Sequence, residues 1–123
     1  MNDEMAVRHN DVSVLENHHL AASFEIMKST PNCNWAVNIS RPDFARVRSL
    51  IIQTVLTTDM TKHFAELGNL TARMADEEFS PVDPGNKETF LKFMFHLADI
   101  SNPTKQWHLC RLWTDLLFVE FFA

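Results

Sequence analysis

The residue best suited to chemistry is Asp99, which lies in the apolar stretch FMFHLADISNP at residues 93–103. Phe95 and Asp99 are four residues apart and Asn102 follows three further on, so the three share one face of a helix. Burying an ionised carboxylate is costly unless it pairs with a cation, a metal or several hydrogen-bond donors. A structural ion pair or helix-end hydrogen bond and a ligand site both stay open, and the pattern alone favours the structural interpretation.

His96 precedes Asp99 by three residues, a spacing that could chelate a metal ion. One histidine and one aspartate do not make a metal site without further ligands. We therefore expect His96 to be a histidine at the edge of the core, bonded to the backbone.

Two other polar groups lie on predicted helices. Ser13 followed by Glu16 is a capping-box signature, which is a sufficient local explanation of Glu16. A carboxylate that orients a metal-bound water is the functional alternative, and the two roles do not exclude each other.

Thr58 ends an apolar helical stripe, so its hydroxyl is expected to point inward and to need a partner. Asp59 and His63 are four residues apart and are expected to form an ordinary surface pair on a helix.

Aromatic and aliphatic side chains recur every four residues near the end of the sequence, at Trp113, Leu117 and Phe121. Such a stripe is more often core than ligand pocket. Aromatic faces can also clamp a planar base by stacking. The spacing by itself does not choose between the two.

Hydrophobic periodicity predicts an all-α helical bundle, with no competing strand pattern. The second predicted helix carries an apolar stripe and is expected to end at Gly68. The third is apolar almost all round, which predicts that it is buried. A short helix is also predicted over residues 69–78, and the prolines and glycine of residues 79–88 predict a loop. The four main predicted helices run from about Val14 to Lys28, from about Asp43 to Leu67, from near Asn86 to before Pro103, and from about Lys105 to Phe122.

Composition bounds the class of protein. The chain has 123 residues, 46% hydrophobic and 22% charged, which suits one globular domain. The net charge of -5 and the lack of a basic patch argue against nucleic acid as a partner. Two cysteines do not form a disulfide framework, so an intracellular, by default cytoplasmic, location is expected. The acidic start MNDE predicts no signal peptide, and the longest apolar run is too short and too interrupted to span a bilayer.

Four blocks of the sequence resemble the catalytic domain of the class I cyclic-nucleotide phosphodiesterases, in that family's order and near its spacing. They are NDVSVLENHHLAASF (10–24), VLTTDMTKHF (55–64), HLADISNPTK (96–105) and LWTDLLFVEFF (112–122). The resemblance implies an all-helical domain with two divalent cations, one zinc-like and one magnesium or manganese. It also implies hydrolysis of cAMP, cGMP or both to the 5'-monophosphate, which damps cyclic-nucleotide signalling.

The resemblance assigns roles residue by residue. Asp99 matches a ligand of the tighter, zinc-like metal, and Glu16 and Thr58 match groups that bond waters on the second metal. Asn102 matches an asparagine that faces the base, and Phe121 matches a stacking clamp. The histidines 18, 19, 63 and 96 fall in the motifs but are not expected to be metal ligands. The expected nucleotide pocket as a whole is Met60, Asn102, Trp113, Thr114, Leu117, Phe118 and Phe121.

The same comparison shows what the sequence lacks. The family's remaining metal ligands, two histidines and an aspartate, and its general-acid histidine come from motifs that do not occur here, and no histidine is followed by aspartate. The glutamine that grips the purine is also missing, and His9 stands where the family has tyrosine. We therefore expect residues 1–123 to be part of a catalytic domain cut at both ends, inactive alone and with apolar faces exposed. The alternative is a non-catalytic helical module for binding or dimerisation, and a homodimer is possible in either case.

Overall fold

The computed structural model describes residues 3–80 and 82–122, and every regular element in them is helical. Helix α2 begins at Val14 as predicted, α3 begins at Arg41, two residues before the predicted Asp43, and a short α1 was not predicted. None of the helices in these two ranges is long and apolar enough to cross a membrane. The described part of the chain contains six α-helices: α1 Glu4–Arg8, α2 Val14–Ser29, α3 Arg41–Leu56, α4 His63–Met74, α5 Pro84–Asp99 and α6 Trp107–Phe121.

The predicted continuous helix from Asp43 to Leu67 is wrong, because α3 ends at Leu56. The hydroxyls of Thr57 and Thr58 donate to the carbonyls of Gln53 and Val55, which ends α3. A 3₁₀ turn over Met60–Lys62 follows, and α4 then begins at His63. The expected stop at Gly68 is also wrong, since Gly68 lies inside α4.

The helices pack in a chain of neighbours: α1 on α2, α2 on α3, α3 on α5, and α5 on α4. Helix α6 packs on a second 3₁₀ turn, Asn102–Thr104, which follows α5. Within the described ranges the buried apolar residues are few: Leu20, Ala36 and Leu70. Much of the apolar surface of these helices is therefore exposed.

Helix α5 is not buried on all sides, contrary to the prediction. Phe90, Leu91, Met94, Phe95 and Leu97 are all more than a third exposed. The buried residue of α5 is His96, whose side chain has no exposure at all. Periodicity identifies an apolar surface, but its burial depends on a neighbouring element that covers it.

His96 joins α5 to the beginning of α4. Its Nε2 lies 2.8 Å from Nδ1 of His63, so its partner is a side chain and not the predicted backbone group. His96 Nδ1 is buried without a hydrogen-bond partner. We assign the bridging proton to His96 Nε2, because the alternative leaves an orphan N–H at Nδ1.

Candidate functional site

A cavity of about 240 Å³ lies where α5 ends and α6 begins its second turn. Its lining consists of Asp99, Asn102, Lys105, Trp113 and Leu117. Four of these five residues were predicted as site residues from the sequence. The structure thus brings the candidate metal ligand and three candidate nucleotide-binding side chains to one place.

Asn102 is fixed by the first half of α6. Its Nδ2 donates to the Cys110 carbonyl over 3.3 Å and to the Thr114 hydroxyl over 3.2 Å. The Thr114 hydroxyl in turn donates to the Cys110 carbonyl over 2.9 Å. Both donors of the Asn102 amide are thereby used, while its Oδ1 is buried without a partner. The amide therefore keeps one unpaired acceptor, which has no accessible surface in this arrangement.

Asp99 is exposed to solvent, so the predicted burial of its carboxylate is wrong. It is the last residue of α5, at the end of the helix where the dipole is negative. A carboxylate is disfavoured there, and a cation beside it is favoured. The sequence argument for a cation near Asp99 was based on burial. In the structure, the argument is based on the position of Asp99 at the C-terminal end of α5.

Lys105 supplies a positive charge to the same cavity and was not predicted as a site residue. Its Nζ lies 6.0 Å from the centroid of the Trp113 ring, at the outer limit of a cation–π contact. The signal for Lys105 was present in the sequence. Lys105 is the last residue of the block HLADISNPTK. It lies six residues after Asp99 and two residues after Pro103, where the chain turns.

The other predicted site residues do not line this cavity. Met60 is exposed at the start of its 3₁₀ turn, and the Thr58 hydroxyl is occupied by the Val55 carbonyl at 2.8 Å. Glu16 is half-buried on α2. Phe118 stacks on Phe122 with 5.9 Å between ring centroids, and Phe121 is exposed. Thr114 contributes through its bond to Asn102.

Asp59 lies between the predicted site residues Thr58 and Met60, and it is only 9% exposed. Its Oδ1 accepts from the Thr61 backbone N–H at 2.9 Å and from the Thr61 hydroxyl at 2.7 Å. Its Oδ2 accepts from the Ser13 hydroxyl at 2.6 Å, and Lys62 Nζ lies 3.9 Å away. The predicted surface pair between Asp59 and His63 is therefore wrong.

The predicted capping box at Ser13 is also wrong, because the Ser13 side chain bonds to Asp59. Ser13 has left-handed backbone angles (φ 43°, ψ 54°) and its side chain makes no capping bond to α2. Its hydroxyl instead donates to Asp59 and accepts from Lys62 Nζ at 3.0 Å. Left-handed angles at a serine cost on the order of 1–3 kcal/mol, which the bonds across to residues 59–62 must offset.

These hydrogen bonds lower the pKa of Asp59 below its ordinary value. The Ser13 hydroxyl has the largest effect and the Thr61 hydroxyl the next, while burial acts in the opposite direction. The Thr61 backbone N–H and the charge of Lys62 lower the pKa further. The carboxylate is therefore held ionised at neutral pH.

A metal pair does not fit the side chains that the structure describes. In residues 3–80 and 82–122, no three or more His, Cys, Asp or Glu side chains are grouped so that they could hold a metal ion. Structural and catalytic zinc sites use at least three protein ligands. Asp99 alone can contribute one.

Comparison with known proteins gives consistent matches along the chain. A family model described as 3'5'-cyclic nucleotide phosphodiesterase matches residues 1–123. The dual specificity calcium/calmodulin-dependent 3',5'-cyclic nucleotide phosphodiesterase 1B of Mus musculus is 40% identical over 119 residues, which are 97% of this chain and 21% of that protein. The probable 3',5'-cyclic-AMP phosphodiesterase pde-4 of Caenorhabditis elegans is 38% identical over 126 residues, 98% of this chain and 18% of that protein. The chain thus spans about a fifth of the length of these relatives.

Replacing Asp59 by asparagine tests the organising role of its carboxylate. We expect Asp59→Asn to lower the free energy of unfolding at pH 7 by about 2–3 kcal/mol, because charge-assisted hydrogen bonds are lost. Since the folded pKa is lowered, this stabilisation is complete above the unfolded pKa of about 4 and disappears as pH falls through the folded pKa. The difference from the parent protein should therefore shrink below about pH 4. Urea midpoints of the helical circular dichroism, at one protein concentration from pH 7 to pH 2.5, measure it.

Asp115→Asn is the matched control, because Asp115 is exposed and pairs only with Arg111 across one helical turn. Its effect should stay within about 0.5 kcal/mol at neutral pH. A difference between parent and Asp59→Asn that stays constant over the whole pH range would contradict the account.

Proposed function

This chain belongs to the 3',5'-cyclic nucleotide phosphodiesterase family, and from that premise we propose that it forms part of a catalytic domain that hydrolyses cAMP, cGMP or both to 5'-monophosphates. The observation that carries the proposal is the cavity that Asp99, Asn102, Trp113 and Leu117 share. In this proposal the chain contributes one wall of the nucleotide pocket and one metal ligand. Such an enzyme damps cyclic-nucleotide signalling.

The cavity suits a purine base in three respects. The Trp113 ring offers an aromatic face for stacking, and Leu117 adds an apolar contact. The unpartnered Oδ1 of Asn102 would accept a hydrogen bond from an amino group or ring N–H of the base once the side chains that now bury it move aside. In this proposal Phe118, Phe121 and Met60 extend the pocket once further protein surface adjoins them.

The family is one of metal-dependent phosphodiesterases. When bound in the complete enzyme, a zinc-like ion and a magnesium or manganese ion would neutralise phosphate charge and supply a hydroxide. Asp99 is the residue of this chain proposed to ligate a metal, with Glu16 and Thr58 proposed to bond metal-held waters. The described residues do not supply the remaining ligands, so no hydrolytic step is expected from them alone.

The remaining properties follow from composition. Cys33 and Cys110 are both free thiols, which supports a reducing, cytoplasmic location. The net charge of -5 supports a small-molecule substrate in preference to nucleic acid. A homodimer is also part of the proposal.

The second candidate function is a non-catalytic binding or dimerisation module with the same helices. The missing metal-ligand group in the described ranges favours it for this chain taken alone. The coding sequence on either side discriminates the two candidates. Histidine–asparagine and histidine–aspartate motifs before it and a glutamine after it favour the enzyme, whereas a start codon at Met1 and a stop after Ala123 favour the module.

An assay of cyclic-nucleotide hydrolysis by the purified chain tests whether its metal ligands are sufficient for activity. With zinc and magnesium added, we expect no hydrolysis of cAMP or cGMP above the metal-only blank, because one carboxylate cannot hold a metal pair. Chromatographic detection of AMP and GMP measures it. Robust turnover that Asp99→Ala abolishes would show that the chain holds a complete site.

Binding of cAMP tests the pocket separately from turnover. Titration followed by nuclear magnetic resonance should shift the Trp113 indole and Leu117 methyl signals, and Trp113→Ala should weaken binding at least about fivefold, since stacking contributes about 1–3 kcal/mol. Trp35→Ala is the matched control, because Trp35 is 55% exposed against 57% for Trp113 and lies outside the cavity. Equal weakening by both variants, or shifts confined to other helices, would contradict the proposed pocket.

A further inference from the structure

Two histidines from separate helices share a hydrogen bond in the interior of the molecule. His63 is the first residue of α4, and His96 lies in the last turn of α5. Nδ1 of His63 and Nε2 of His96 are 2.8 Å apart, and the two rings are tilted by 47°. Burying a polar group costs free energy unless it is paired. The bond to His63 is therefore what makes a histidine tolerable at a position that has no exposure to solvent.

The last turn of α5 has little else to hold it in place. His96 is the buried residue of this helix, whereas its neighbours Phe95 and Leu97 are 48% and 41% exposed. Asp99, at the end of the helix, is exposed as well. In the part of the chain that the structure describes, His96 is the one side chain of residues 95–99 that makes a hydrogen bond. The end of α5 is thus anchored to α4 through a single polar contact.

The cavity of the candidate site depends on this end of α5. Asp99 and Asn102 line the cavity, and they follow His96 by three and six residues. The apolar part of the lining comes from α6, which packs mainly on the 3₁₀ turn that directly follows α5. A movement of the last turn of α5 would therefore displace both sides of the cavity.

His63 is itself held in place at the start of α4. It directly follows the Met60–Lys62 turn, in which the Thr61 backbone N–H and hydroxyl both donate to Asp59. Its ring also meets the Phe64 ring edge-on, with 5.1 Å between the centroids. His63 therefore presents its Nδ1 acceptor to α5 from a fixed position.

A hydrogen bond suits this role better than an apolar contact, because a hydrogen bond is directional. With the proton on His96 Nε2, His63 must accept through Nδ1, so each ring has one tautomer and one orientation relative to the other. Apolar burial is non-directional, so two packed apolar side chains can slide past each other at little cost. The histidine pair therefore fixes both the distance and the angle between the two helices at this point.

We propose that His63 and His96 are positioning residues for the nucleotide cavity: their hydrogen bond fixes the end of α5 and, with it, the walls of the cavity. Neither histidine is among the residues that line the cavity, so both act through the helix end and not by contact with a ligand. The consequence for nucleotide binding rests on the proposed function, whereas the consequence for the end of α5 does not.

Nuclear magnetic resonance of the isotope-labelled parent chain tests the bond itself. The ring nitrogens should show a scalar coupling across the hydrogen bond, between His96 Nε2 and His63 Nδ1. Both rings should be in the tautomer that is protonated at Nε2. Absence of the coupling, or a His96 ring protonated at Nδ1, would overturn the bond and the proposal with it.

Substitution of His63 tests the positioning role, because His63 is only half-buried and its replacement leaves α5 unchanged in sequence. His63→Leu should speed amide hydrogen exchange at residues 97–100 at least about tenfold, since the buried N–H of His96 loses its partner. His63→Asn should exchange like the parent, because the asparagine Oδ1 takes the place of Nδ1 and accepts the same bond. The matched control is His108→Leu, at an exposed position in the first turn of α6, which should leave residues 97–100 unchanged.

A merely structural contribution of His63 gives a different pattern of exchange. A loss of overall stability would speed exchange in α2 and α3 as much as at residues 97–100, and that result would overturn the positioning role. A His63→Asn variant that behaves like His63→Leu would also overturn it. All variants should keep the helical circular dichroism of the parent, and the coupling measurement needs no variant.

Binding of cAMP, followed through the Trp113 and Leu117 signals, measures the consequence for the site. His63→Leu should weaken binding at least about threefold, because a mobile helix end keeps the cavity in its binding form for less of the time. His63→Asn and His108→Leu should bind like the parent. Unchanged affinity in His63→Leu would overturn the positioning of the cavity. A parent chain that does not bind cAMP would contradict the proposed pocket instead, and the coupling and exchange measurements would still decide whether the bond fixes the end of α5.

Discussion

The carboxylate of Asp59 is the interaction on which the described structure most depends. It accepts bonds from Ser13 and Thr61, residues that belong to different segments of the chain. By fixing the Met60–Lys62 turn it sets where α4 begins, and the first residue of α4 is His63. His63 in turn bonds His96, three residues before Asp99. A continuous series of contacts therefore leads from the start of α2 to the end of α5, where the candidate site lies.

Much of the fold could be predicted from local sequence, because helix starts and apolar periodicity are local properties. Ser40 accepts from the Asp43 backbone N–H as a helix start requires, and α2 begins at the predicted residue. The break after Leu56 and the unusual role of Ser13 could not be predicted in this way. The role of Ser13 depends on its bond to Asp59, which is 46 residues away in sequence, and the same carboxylate holds the 3₁₀ turn that follows the break.

The candidate site was predicted in part, and the reasons differ between residues. Resemblance selected Asp99, Asn102, Trp113 and Leu117, and the turn after α5 brings them to one cavity. Burial of Asp99 was predicted from its apolar neighbours, but burial depends on covering elements that the described residues do not provide. Lys105 was missed because a single exposed lysine has no periodic signal, and its place at the end of the block HLADISNPTK was the one indication of a role. Its position becomes apparent only when the chain turns at Pro103.

The central claim is that Asp99 offers one metal ligand beside a nucleotide cavity. Paramagnetic broadening of amide signals by manganese tests it most directly. The account predicts broadening centred on Asp99 and Asn102, half-saturation no tighter than about 0.1 mM because few ligands are present, and loss of the effect in Asp99→Asn. Tighter binding, or broadening centred on another part of the chain and retained in Asp99→Asn, would contradict it.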